Sequence, residues 1–236
     1  MPDLSSRSQQ IEIMDDLNCS GEVVDQTLRE LETINRLLGG NAVTVDGTSR
    51  LLKGQLKSKT ISIADLGCGG GDIMKLIYSW GKKNDWLFKL VGIDANPNII
   101  AFAKKNSISF PELAYEAIDI FSEEFKLKKF DIMVATLFFH HFSKEQLVAF
   151  FTQAKKQVRI GIVINDIHRH WFAYHSIRWL TKIFSRSAMV KFDAPLSVQR
   201  AFTKNELLEI LEKANIKNYT LRWMWAFRWQ VVIKSE

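Results

Sequence analysis

Two spacings of apolar residues take turns along the chain. Ile61 to Asp65 alternates with period two, and Ile73, Leu76, Ile77 and Trp80 then follow at i, i+3, i+4 and i+7. The first pattern predicts a buried strand and the second one face of an amphipathic helix ended by Gly81. Phe88 to Asp94 is a second strand, after which Asn96 caps a helix, Pro97 opens it and Ile99, Ile100 and Ala103 face inward. Ala114 to Ile120 is a third strand, and the continuous apolar run Phe130 to Leu137 is a buried fourth. Ser143 and Gln146 form a capping box before Leu147, Phe150, Phe151 and Ala154, and Val158 to Asn165 is the fifth strand.

Both flanks follow the same logic. Val24, Leu28, Leu31, Ile34 and Leu38 keep helical spacing up to Gly39-Gly40, whereas residues 1–19 are polar, without period, and read as loosely ordered. Residues 41–59 read as a connection with at most a short helix near Leu51 and Leu52. Beyond the fifth strand, Trp171 to Phe184 is a helix with Ala173, Ile177, Leu180 and Phe184 on one side and Trp171, Tyr174, His175, Arg178 and Lys182 on the other. Asp193 to Phe202 reads as a loop, and Thr203 with Glu206 caps a helix through Leu207, Leu208, Leu211 and Ala214. From Tyr219 to Ile233 strict alternation returns, with Leu221, Trp223, Trp225, Phe227, Trp229 and Val231 on one face, so two strands pair about Ala226.

Strands alternating with helices define an α/β chain. The expected architecture is a doubly wound, Rossmann-like sheet of about seven strands, mostly parallel, closed by an antiparallel C-terminal hairpin. The 236 residues suit a single domain: a cap segment over 1–59, a cofactor-binding core over 60–165, a helical lid insertion over 166–202, and a helix with the strand pair over 203–236.

Composition changes this picture little. Apolar content of 47% and charged content of 25% are those of an ordinary globular chain, and no apolar run approaches the ~20 residues of a membrane span. The amino terminus has no signal-peptide pattern, and two cysteines, Cys19 and Cys68, make no disulfide framework, so a cytoplasmic location is expected. A net charge of +6 raises nucleic acid as a partner, but the lysines are scattered among acids and no nucleic-acid motif accompanies them. The expected partner is a small molecule.

The chemistry begins at Asp65-Leu66-Gly67-Cys68-Gly69-Gly70-Gly71-Asp72. Glycines permit positive φ and let backbone approach a ligand, but a dinucleotide fingerprint starting at Gly67 needs a third glycine where Asp72 stands. A carboxylate two residues before the first glycine repels a pyrophosphate and suits a ligand with a positive amino group. Asp94, 23 residues beyond Gly71, lies where a ribose-binding acid belongs.

With these motifs the chain resembles the class I S-adenosylmethionine-dependent methyltransferases. The His140-His141-Phe142 turn and Ser197 to Thr203 look like the small-molecule enzymes of the ubiquinone, menaquinone and type III polyketide groups. The resemblance implies S-adenosylmethionine as cofactor and S-adenosylhomocysteine as product. It places the cofactor against Asp65, Gly67, Cys68, Gly69, Gly71, Asp94, Ala95, Asn96, Asp119, Ile120 and Thr136. By itself Cys68 reads as a small filler. The implied acceptor is an aromatic, polyketide or quinone-like compound, methylated on a hydroxyl oxygen in preference to carbon.

Deprotonating a hydroxyl needs a base, and histidine titrates near neutral pH. His140 and His141 leave the fourth strand beside the cofactor's place, with His141 preferred as base; Asp166, Arg169 and Arg200 are the candidate acceptor contacts. His141, Asp166, His168 and His170 are considered as a metal set, but their spacing is not that of a metal site and no metal is expected. The basic, aromatic helix Trp171 to Phe184 reads first as a lid and second as a membrane-surface element. Two other classes stay open: a nicotinamide oxidoreductase, and a non-catalytic membrane or nucleic-acid module.

Overall fold

The computed structural model describes residues 2–235. Seven strands form one sheet: β1 (Ile61–Leu66), β2 (Phe88–Asp94), β3 (Leu113–Ala117), β4 (Phe130–Thr136), β5 (Val158–Ile167), β6 (Tyr219–Met224) and β7 (Arg228–Lys234), in the order β3-β2-β1-β4-β5-β7-β6. The first five run parallel, and β7 inserts antiparallel between β5 and β6. The order reverses between β1 and β4, and their register sets Leu66 beside Ala135, so the glycine loop and the histidine turn leave the sheet side by side. Such a reversal opens a crevice at the carboxyl ends of the strands.

Two apolar layers flank the sheet. The even positions Ala64 and Leu66 join Phe125, Phe150, Leu207 and Ile210 on one face, whereas Ile61 and Ile63 join Leu51, Met74, Ile77 and Ala103 on the other. On the first face lie α5 (Glu123–Leu127), α6 (Lys144–Ala154) and α9 (Lys204–Lys213); the expected capping boxes form at Ser143 and Thr203. The opposite face carries α2 (Gly40–Leu51), α3 (Asp72–Lys83) and α4 (Pro97–Asn106), with α1 (Glu22–Leu37) joined to α2 through left-handed Gly39.

Several local readings are corrected here. The connection expected over 41–59 contains α2, a full helix whose glycines and β-branched residues hid its period. Gly47 lets it press on the sheet: a Cβ there would lie 2.4 Å from Val163 Cγ1. Gly81 sits inside α3 because a side chain would meet the Phe88 ring, 2.3 Å away. The third strand ends at Ala117, two residues before Asp119, while the fifth extends to Ile167 and so contains Asp166.

The loop expected over 193–202 is instead the end of α8 (Ala188–Arg200), which continues through Pro195. Burial of Val190, Pro195, Leu196 and Val198 outweighs the hydrogen bond that proline removes. In α7 (Trp171–Phe184), Ala173, Tyr174 and Thr181 face inward and Phe184 is exposed, the reverse of the expected sides for Tyr174 and Phe184. The hairpin is centred on residue 226 as its alternation requires, with Trp223 opposite Trp229. Only Trp229 and Val231 of its aromatic face are in the core; Trp223 and Trp225 are exposed.

Residues 2–20 are also tied down, contrary to the loose segment expected. Arg7 donates to the carbonyls of Arg200 and His140, Asp193 accepts from the amides of Ile13 and Met14, and Ser197 bonds Glu12. This strap, with its 3₁₀ turn Ile13–Asp15, lies over the histidine turn and against α8.

Candidate active site

The end of β1 builds an acid-lined cradle. Gly67, Gly69 and Gly71 all have positive φ, at 64°, 50° and 79°. Two leave no room for a side chain: a Cβ on Gly67 would lie 2.1 Å from the Phe138 ring, and one on Gly71 2.2 Å from the Tyr115 hydroxyl. Asp65 is buried, and its Oδ2 has no hydrogen-bond partner. Burial, reinforced by Asp72 and Asp94, pushes its carboxyl well above the ordinary carboxylate range. An unpaired buried carboxylate of this kind is stabilised by an arriving ammonium group.

Asp94, at the end of β2, accepts the Asn96 amide at 3.0 Å and the Gly69 amide at 3.4 Å. Burial raises its pKa, opposed by these donors and by the Ala95 amide. Asn96 caps α4 through the Asn98 amide, and its side-chain NH₂ donates to the Cys19 carbonyl, which ties the strap to the cradle. Cys68 is buried in the core as a small filler, its amide on the Ile93 carbonyl. Asp119 is exposed and accepts the Phe121 amide, and Ile120 is buried beside it. Thr136 turns toward α2 instead, with its hydroxyl 2.7 Å from that of Thr44.

Beyond Thr136 the chain folds back sharply. Leu137 has φ of 53°, a strained value for a branched residue, and its amide bonds the Asn165 carbonyl. The 3₁₀ turn Phe139–His141 follows. His140 is 2% exposed. Its Nδ1 lies 2.7 Å from Asp166 Oδ1, and its amide donates to Asp166 Oδ2 at 3.0 Å. Burial opposes charge on Asp166, but the His140 ring and the Ile167 amide hold its pKa below the ordinary value. A carboxylate on Nδ1 sets the tautomer with the proton on that nitrogen, leaving His140 Nε2 as a lone-pair acceptor, and Nε2 has no hydrogen-bond partner.

Two acids from the strap face the histidines and were missed in the sequence. Glu12 Oε1 lies 3.7 Å from His140 Nε2 and 3.8 Å from His141 Nδ1. Burial raises the Glu12 pKa to about 7. His141 Nδ1 is 2.6 Å from Asp15 Oδ1, at an angle that is not that of a hydrogen bond. No local signal points to these acids: the segment is anchored by ties such as Ile13 to Asp193, 180 residues away, while Ile11 and Ile13 themselves are exposed.

The expected acceptor contacts have other partners. Arg200 bonds Asp15 and the His141 carbonyl and lies 3.5 Å from Glu12. Arg169 pairs with both carboxylate oxygens of Glu206 and reaches the Leu4 and Ala201 carbonyls, so it fastens the strap to the cap of α9. Asp166 orients His140. The metal set considered above does not assemble: His170 caps α7, and His168 packs on Trp229, where burial lowers its pKa to about 4. Among the described residues Glu12, His140 and His141 are the group whose ligand atoms lie within 4.8 Å of one another. There the Arg200 guanidinium already supplies the positive charge. A surface cleft at Tyr78, Lys82, Phe110 and Glu112 shares no residue with this site.

A glycine cradle and flanking acids at the switch point of a doubly wound sheet define a nucleotide-cofactor enzyme. Residues 57–215, two thirds of the chain, match the model of the methyltransferase domain family, and the chain belongs to that family. No curated protein matches the chain in sequence. Among solved structures, human N-acetylserotonin methyltransferase in complex with SAM is 13% identical with a TM-score of 0.63, over 90% of this chain and 55% of that one. The CurJ carbon methyltransferase is 12% identical with a TM-score of 0.58, over 78% and 50%. The plantazolicin methyltransferase BpumL, in complex with a triazolic desmethylPZN analog and SAH, is 18% identical with a TM-score of 0.64, over 89% and 90%. The chain thus spans about half the length of the first two and nearly all of the third.

Proposed function

We propose that this chain moves a methyl group from S-adenosylmethionine to a hydroxyl of a small aromatic, polyketide or quinone-like acceptor, with His140 as the general base. The observation that carries the reading is the buried His140–Asp166 pair, which leaves Nε2 without a hydrogen bond on the turn that exits the sheet beside the glycine loop. The sequence favours His141. Each histidine has a carboxylate at its Nδ1; the geometry supports His140 because its contact with Asp166 is a buried hydrogen bond, whereas that of His141 with Asp15 is not a hydrogen bond.

The cradle suits the cofactor. Asp65 offers an unpaired carboxylate to the amino group, Asp94 an acid to the ribose, and Gly67, Gly69 and Gly71 a turn of positive φ between them. S-adenosylmethionine, when bound, supplies a methyl group on a cationic sulfur. The protein aligns the acceptor with it and takes up a proton. As the acceptor oxygen gains the methyl group, its proton passes to His140 Nε2 while Nδ1–H stays on Asp166. Asp166 stabilises the imidazolium formed, and the strap and α8 keep water from the pair. The solved neighbours include a carbon methyltransferase, so preference for oxygen rests on this base.

Calorimetry tests the cofactor: the chain binds S-adenosylhomocysteine and not NADH. With a phenolic acceptor, His140→Ala and Asp166→Asn lower kcat by about 10²–10⁴-fold at unchanged S-adenosylhomocysteine affinity. Full turnover in His140→Ala together with its loss in His141→Ala would transfer the role to His141.

A further inference from the structure

The outer face of α7 carries apolar side chains that nothing in the fold covers. Trp171, Trp179 and Phe184 are 61%, 60% and 73% exposed, and Phe172 and Ile183 stand out beside them. α7 packs inward on α8, which roofs the histidine turn, so this face is the outermost layer of the insertion. The surface continues onto the hairpin. Phe172 lies 5.7 Å from Phe227, and Phe227 lies 5.9 Å from Trp223, with Trp225 exposed at the turn.

Charge on this stretch of chain has one sign, with Glu30 of α1 the acid that meets it, at the Arg186 and Ser187 amides. No acid occurs between Asp166 and Asp193, while Arg178, Lys182, Arg186 and Lys191 lie in that interval and are exposed. On the hairpin side no Asp or Glu stands between Glu212 and Glu236 in the sequence, and Arg222 pairs with Asp46 of α2. Elsewhere acids and bases are interspersed, as in Lys82 and Lys83 before Asp85. Tryptophan settles at the boundary between headgroups and acyl chains, and arginine and lysine pair with anionic headgroups. A second copy would set these cations against themselves, and a nucleic acid would leave Ile183 and Phe184 in water. No helix among the described residues is long and apolar enough to cross a membrane, so contact would be at the surface.

We propose that the face formed by α7 and the β6–β7 turn docks on an anionic lipid bilayer. Docking places the insertion against the lipid, so that an apolar acceptor can pass from the bilayer to the site without crossing water. The docking itself does not depend on which acceptor is methylated.

Co-sedimentation of the full chain with vesicles tests it. The chain sediments with phosphatidylcholine vesicles containing about 30 mol% phosphatidylglycerol and not with phosphatidylcholine alone, and binding falls as salt rises. Trp171→Ser with Trp179→Ser, and separately Arg178→Glu with Lys182→Glu, weaken binding at least about tenfold, with melting temperature unchanged because these side chains are exposed. Lys82→Ser with Lys83→Ser leaves binding intact. The proposal is overturned if anionic vesicles do not retain the chain, if the face variants bind as tightly as the parent, or if light scattering shows a dimer that the same substitutions dissolve.

Discussion

Asp65 shows how a single residue carries both a cost and a use. Its buried Oδ2 lacks a partner, and its carboxyl is driven well above the ordinary range by burial. Asp65→Asn therefore raises the melting temperature of the ligand-free chain, by about 1–3 kcal/mol in stability, and weakens S-adenosylhomocysteine at least about tenfold. Thermal melts with and without ligand check both parts; a variant that binds as tightly as the parent removes Asp65 from the cofactor site. Glu12 makes a different prediction, through pH. Its folded pKa of about 7 is above the ordinary 4.5, so between those values the folded chain holds a proton that the unfolded chain has lost. Stability from this group is full below pH 4.5 and is lost as pH rises to 7. Asp15 and Asp166 have lowered pKa values and act in the opposite direction, below the ordinary carboxylate range. Glu12→Gln accordingly removes a fall of up to about 3 kcal/mol between pH 4.5 and 7, which denaturant titrations across that window measure.

At the scale of elements, α2 decides how the polar ends of β4, β5 and β7 are satisfied. Asn165 donates to the Gly40 carbonyl and the Thr44 hydroxyl, Thr44 meets Thr136, and Gln230 donates to the Val43 carbonyl. These contacts require the helix to lie close, and Gly47 permits that. Gly47→Ala improves helix propensity but forces Val163 or the helix to move, so a net loss of about 1–3 kcal/mol is expected in chemical denaturation. A neutral or stabilising outcome would show that α2 has slack against the sheet. The same element marks a limit of pattern reading. Gly-Asn-Ala-Val-Thr-Val-Asp-Gly-Thr has neither an apolar stripe nor strong helix formers, and its helix exists because the sheet covers one side of it. By contrast α3, α4, α6 and α9, with their caps and periodic faces, were legible because local and tertiary preferences agree.

Across the whole molecule, the strap links the amino-terminal segment to the site and to α8. Arg169 is one of its fasteners, joining Leu4, Ala201 and Glu206 while buried. Arg169→Ala leaves Glu206 with only its capping-box bonds and unties Leu4, so a loss of about 1–3 kcal/mol is expected, together with faster amide exchange over residues 2–20. Unchanged exchange there would mean the strap is held chiefly by Asp193 and Arg200. The amino-acid order alone determined the sheet, the acids at the ends of β1 and β2, the glycine loop and a hairpin centred on residue 226, because each follows from spacing within one segment. Tertiary structure alone decided which histidine holds its proton against Asp166, that Glu12 and Asp15 face the pair, and that Arg169 and Arg200 are fasteners. Those choices depend on side chains brought together from distant segments, and no period within a segment records which partner will arrive.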